Sequence, residues 1–68
     1  MEISARNQLR GKVTAIKLGT IMAEVNIQIA GQEVVAAVTR SSVERLGLKV
    51  GDDALAIIKA TEVIVGKP

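Results

Sequence analysis

Ile21-Met-Ala-Glu-Val-Asn-Ile-Gln-Ile29 alternates apolar and polar residues without a break. Ile21, Ala23, Val25, Ile27 and Ile29 fall on one face, with Met22, Glu24, Asn26 and Gln28 on the other. A strict period of two is the pattern of a strand with one buried side. Leu18-Gly19-Thr20 precedes it and Ala30-Gly31-Gln32 follows it. Both are Gly-centred turns of hairpin length, so a strand is expected on either side.

Upstream, Leu9 to Lys17 carries Val13, Thr14 and Ile16 for strand propensity, and Gly11 within it predicts a bulge or a close backbone approach. Downstream, Glu33 to Thr39 contains Val34-Val-Ala-Ala-Val38, apolar on both faces. A strand buried on both sides in so small a chain needs cover from outside the domain. Ser41 and Glu44 then have capping-box spacing, with Ser41 at N-cap and Glu44 at N3 of a helix over Ser42 to Leu46. Gly47 suits the left-handed residue that ends such a helix, and Leu48 can pack back onto it. A turn over Lys49 to Asp53 leads into a strand at Ala54 to Lys59, and Ala60-Thr61 connects it to a last strand, Glu62 to Val65. The order predicts an all-β chain: a five-stranded OB-like barrel with one short helix between strands 3 and 4.

The 68 residues leave room for one small domain. A folded monomer of this mass should show about 4,100 Å² to water, and chains this short bury too little surface to be secure alone. There is no Cys for a disulfide and neither Cys nor His for a structural zinc site. With 49% hydrophobic residues, association of subunits is the natural source of further burial. The apolar runs are far short of a membrane span and no signal-peptide layout is present, so the expected setting is cytoplasmic, away from membranes. Without His or Cys the usual general base and soft nucleophile are missing, and no catalytic residues are assigned. An aromatic fraction of 0% removes the stacking platforms of single-strand nucleic-acid modules. A net charge of +2 is modest for a nucleic-acid binder, although the sequence pI is about 9.4.

Three polar clusters stand out. Ser4-Ala-Arg-Asn-Gln8 holds a hydroxyl, a guanidinium and two amides just before the first strand; its plainest account is a wet N-terminal arm. Thr39, Ser41, Ser42 and Arg45 surround the helix start, where free N–H groups and the helix dipole favour negative charge. Capping explains Ser41 and Glu44 but leaves Thr39 and Arg45 without a reason. Lys59-Ala60-Thr61 ends a strand, and a Lys there is usually a snorkelling edge residue. Together the clusters are rich in donors and poor in carboxylates, whereas a hard cation would want Asp and Glu oxygens. They suit a fully ionised tetrahedral oxyanion better than phosphate, which is partly protonated at neutral pH.

Ser-Ala-Arg-Asn-Gln at 4–8, Gly11-Lys-Val13, Met22-Ala-Glu-Val25, Arg45-Leu-Gly-Leu48 and Ile58-Lys-Ala60 resemble the molbindins (Mop family), small cytoplasmic molybdate- and tungstate-binding proteins. The likeness runs from Ile3 to Val65 and implies a single molybdate-binding, Mop/TOBE-type domain over residues 1–68. It further implies a homohexamer, a trimer of dimers, with oxyanions held between subunits for intracellular storage and homeostasis. By motif it assigns Ser4 and Arg6 from one subunit together with Thr39, Ser42, Arg45, Lys59 and Ala60, with Ser42 and Ala60 acting partly through backbone N–H. The ligand is molybdate or tungstate, with no cofactor, no direct cation ligands and no nucleic-acid partner. Two alternatives stay open at this point: an OB-type nucleic-acid-binding module, and a molybdenum-cofactor (pterin) carrier.

Overall fold

The computed structural model describes residues 1–68 as four strands, one α-helix and one 3-10 turn: β1 (Asn7–Leu18), β2 (Met22–Ile29), β3 (Gln32–Thr39), α1 (Arg40–Leu46), β4 (Asp53–Ile58) and the turn Ala60–Glu62. All pairings are antiparallel and the sheet order is β3-β2-β1-β4. The 12-residue β1 serves two neighbours: Asn7–Lys12 pairs with Ile58–Asp53 of β4, and Lys12–Leu18 with Gln28–Ala23 of β2. A strand that hands over from one partner to the next must coil. The register slips between Val13 and Ala15, so a bulge at Thr14 increases the local twist.

Gly11 is the close approach rather than the bulge. A Cβ there would run into the Gln28 carbonyl and lie 2.7 Å from Ile29 Cγ1 and 2.8 Å from Ile27 Cγ2. Two residues, Ala30 (φ +50°) and Gly31 (φ +80°), link the paired Ile29 and Gln32, the signature of a type I′ hairpin turn.

The alternation of β2 is reproduced by burial: Ala23, Val25 and Ile27 join Val13, Val43 and Ala56 in the core, and Ile29 packs against it. Ile21 differs from the expectation and is 74% exposed. It belongs to the turn before β2, where its carbonyl accepts the Arg40 N–H at 2.8 Å.

The helix start also differs. Thr39, not Ser41, is the N-cap: its backbone is extended (φ −73°, ψ 149°) and its hydroxyl accepts the Ser42 N–H at 3.1 Å. The β2–β3 ladder holds Thr39 opposite Met22, which keeps it extended and lets the helix begin at Arg40. Glu44 consequently pairs with Arg40 one turn back, at 3.6 Å, instead of closing a capping box. The C-terminus is as expected. Gly47 takes φ +63°, and Gly47 N–H and Leu48 N–H donate to the carbonyls of Glu44 and Val43, a Schellman ending.

One expected element is missing. Glu62–Val65 forms no strand, so the sheet has four strands, within the same all-β class. After β4 the 3-10 turn leads the tail away from the sheet, and Ile64 and Val65 are 93% and 89% exposed. A strand needs an edge to pair with, and Glu62–Val65 pairs with neither edge of this sheet. Residues of β2, β3 and β4 line an apolar trough of about 490 Å³, Val25, Ile27, Ala36, Val38, Leu55 and Ile57 among them. On β3, Val34, Ala36 and Val38 are half-buried while Val35 is 56% exposed, so the doubly apolar strand has cover on one side only. The chain shows 5497 Å² to water where about 4,100 Å² is usual for its mass. Its radius of gyration, 12.5 Å, likewise exceeds the about 11 Å expected of a compact domain.

Candidate functional site

The β1–β4 ladder ends at the pair Asn7–Ile58. The residues just before β1 and just after β4 therefore leave the sheet side by side, although they lie at opposite ends of the chain. The result is a groove of about 510 Å³ lined by Ile3, Ser4, Ala5, Arg6, Ile57, Lys59, Ala60 and Thr61. Two amides of the N-terminal cluster build it. Asn7 Nδ2 donates to the Ile58 carbonyl at 3.2 Å, tying the arm to β4, and Gln8 Nε2 donates to the Ala5 carbonyl at 3.0 Å, curling the arm back. Asn7 and Gln8 are thus spent on shape, whereas the Ser4 hydroxyl and the Arg6 guanidinium make no such tie.

The groove carries one guanidinium, one ammonium, two hydroxyls and apolar walls from Ile3 and Ile57, with no carboxylate among its lining residues. The ion pairs of the chain are Lys12–Asp53, Lys17–Glu24 and Arg40–Glu44, so the charges of Arg6, Lys59 and Arg45 are not neutralised within it. Asp53 lines the apolar trough, where a hydrogen bond from Lys12 at 2.8 Å and the Lys12 charge hold its carboxyl below the ordinary carboxylate range, with a smaller contribution from Arg10. No group of three or more His, Cys, Asp or Glu residues is placed to hold a cation. Donors flanked by apolar walls are what a desolvated oxyanion requires.

Of the expected site residues, Ser4, Arg6, Lys59 and Ala60 come together in this groove; Thr39, Ser42 and Arg45 do not line it. Thr39 caps α1, and Ser42 and Arg45 lie along it. Thr39 Oγ1 lies 2.7 Å from Ser42 Oγ and 3.2 Å from Ser41 Oγ, so the cap is a knot of three hydroxyls. Arg45 is in the last turn of the helix rather than around its start, one turn from Ser42 on the same face. Ser42 borders the apolar trough together with Leu46. A single chain therefore presents two separate sets of donors. Ile3, Ala5 and Ile57 line the groove without having been expected there, and Thr61 lay in the third polar cluster but not among the assigned ligands. Thr61, adjoining Lys59-Ala60, carried a signal; the apolar walls carried none.

Residues 3–65 match the TOBE domain family. A probable molybdenum-pterin-binding protein of Haemophilus influenzae is 52% identical over 67 residues, covering 97% of this chain and 97% of that protein. Among solved structures, a molybdate-binding protein from Sporomusa ovata superposes with a TM-score of 0.95 at 46% identity, covering 98% of this chain and all of that one. The cytoplasmic molybdate-binding protein ModG, in a form with molybdate bound, superposes with a TM-score of 0.93 at 45% identity; this chain is fully covered and spans 49% of ModG.

Proposed function

The chain belongs to the TOBE domain family, in its molbindin branch, and from that premise we propose that it binds molybdate or tungstate for intracellular storage and homeostasis. The observation that carries the reading is the groove itself: Ser4, Arg6, Lys59 and Ala60, far apart in the chain, converge with no carboxylate among the side chains that line it. Arg6 and Lys59 balance the two charges of the ligand, and hydroxyls and backbone N–H groups orient its oxygens. The role is non-enzymatic binding, and residues 1–68 act as one binding domain with no cofactor besides the oxyanion.

The site is shared between subunits. The groove is one half of it, and Thr39, Ser42 and Arg45 of a neighbouring copy are the other. Surplus surface supports assembly: the isolated chain exposes roughly 1,400 Å² more than its mass predicts and leaves both an apolar tail and an open trough. The tail of one copy fits the trough of another, and dimers built this way associate as a trimer of dimers. Because ligand and assembly are coupled, the oxyanion stabilises the hexamer by mass action. A cytoplasmic setting agrees with the description of ModG as cytoplasmic; no helix is long and apolar enough to cross a membrane.

Titration calorimetry of the assembled protein with molybdate, tungstate and sulfate tests the reading. Arg6→Ala removes a charge-assisted bond worth about 1.5–3 kcal/mol, so molybdate affinity should fall roughly ten- to a hundredfold. Unchanged affinity means the groove is not the site. Sulfate accepts the same donors but is smaller, and it should fail to displace molybdate at equal concentration.

A further inference from the structure

Four polar side chains line the groove, and the molbindin motif accounts for three of them: Ser4, Arg6 and Lys59. The fourth is Thr61. We propose that the Thr61 hydroxyl is an additional oxyanion donor and a determinant of affinity in this groove, an inference that rests on the reading of the groove as an oxyanion site.

Backbone geometry puts Thr61 there. Glu62 N–H donates to the Lys59 carbonyl at 2.9 Å and Val63 N–H to the Ala60 carbonyl at 3.4 Å, closing a 3-10 turn directly after β4. The turn is fastened to the sheet by the last rung of the β1–β4 ladder, so Lys59, Ala60 and Thr61 face the arm that bears Ser4 and Arg6. The Thr61 hydroxyl makes no hydrogen bond within the chain and caps nothing: the turn's own N-cap is Lys59, with no side-chain bond. Thr14 Oγ1, by contrast, donates to the Asn26 carbonyl, and Thr39 Oγ1 accepts the Ser42 N–H. Ala60 offers a ligand nothing beyond its backbone, so the neighbouring hydroxyl supplies the side-chain donor missing from that wall. With Thr61 included, two cations meet the two negative charges and two hydroxyls fix the orientation of the tetrahedron.

The test compares Thr61→Val, Thr61→Ser and Arg6→Ala by calorimetric titration of the assembled protein with sodium molybdate. Native mass spectrometry reports the oligomer of each variant. Thr61→Val keeps the shape and deletes the hydroxyl; a charge-assisted hydrogen bond lost from the dianion should weaken binding about tenfold or more, with stoichiometry and oligomer unchanged. Thr61→Ser should stay within about twofold of the parent protein, since the hydroxyl is kept. Unchanged affinity in Thr61→Val, while Arg6→Ala loses binding, overturns the role of Thr61 and leaves the groove reading intact. Unchanged affinity in both overturns the groove and Thr61 with it. If Thr61→Ser loses as much as Thr61→Val, the methyl rather than the hydroxyl matters and the donor role is wrong.

Discussion

Replacing Ile64 with Asp attacks the assembly without touching the isolated fold. Val63, Ile64 and Val65 are 50%, 93% and 89% exposed, so no contact within the chain depends on them heavily. Taking about 2 kcal/mol for burying each such side chain completely, in proportion to its exposed fraction, one tail gains about 5 kcal/mol when it enters the trough of another copy. Ile64 supplies about 2 kcal/mol of that, and an aspartate in its place adds the cost of taking a carboxylate out of water, at least 1 kcal/mol more. The loss is then about 3 kcal/mol per tail and about 6 kcal/mol for a reciprocal pair, more than four powers of ten in the dimer constant. Sedimentation velocity at micromolar protein should show the parent chain as an oligomer and Ile64→Asp as a smaller species. Far-ultraviolet circular dichroism should retain the β-sheet signal, because the four strands do not use the tail. Ile64→Val keeps most of the apolar surface and should sediment like the parent. If Ile64→Asp sediments like the parent as well, the tail lies outside the interface and the tail-in-trough reasoning fails. Molybdate titration of the same variant then asks whether dispersed chains still bind tightly; if they do, the two sets of donors do not need each other.

Gly11→Ala should destabilise by about 3 kcal/mol, because the new Cβ meets the Gln28 carbonyl, which belongs to backbone and cannot swing aside; urea unfolding at fixed protein concentration reads this, and a loss under 1 kcal/mol contradicts it. Ala30 holds a left-handed φ of +50°, so Ala30→Asn should raise stability by about 0.5–1 kcal/mol without affecting molybdate binding, and no gain in the same assay would show the turn relaxed. Asp53 titrates below the ordinary carboxylate range chiefly because Lys12 hydrogen-bonds it. A depressed folded value means that its contribution to stability is present above the unfolded carboxylate's range and is lost as pH falls through the folded value. Lys12→Ala should move the Asp53 midpoint upward in a carboxyl-carbon NMR titration, and an unmoved midpoint removes Lys12 as the cause.

Local chemistry was legible before any coordinates. The alternation at Met22–Ile29 needs only its own residues to declare a strand, and Gly47 with Leu48 declares a helix end, because each signal is complete within a few positions. The donor-rich, carboxylate-poor make-up of three short segments likewise named the class of ligand. The cap was harder. Thr39 and Ser41 both carry hydroxyls within reach of the helix start, and what decides between them is how far the β2–β3 ladder extends, a matter of Met22 on another strand.

The grouping of the candidate site residues belongs entirely to tertiary structure. Nothing local to Ser4 and Arg6 says that Lys59, Ala60 and Thr61 will stand beside them; the last rung between Asn7 and Ile58 does that, and it is a pairing across nearly the whole chain. The tail makes the same point from the other direction. Glu62–Val65 has strand-like residues, but a strand exists only against an edge, and the turn at Ala60–Glu62 leads this one away from its own sheet. Sequence by itself determined which residues are able to form strands and to donate to an anion. Tertiary structure alone decided which of them meet, because hydrogen-bonded partners and ligand pockets are set by segments that the chain brings together only when it folds.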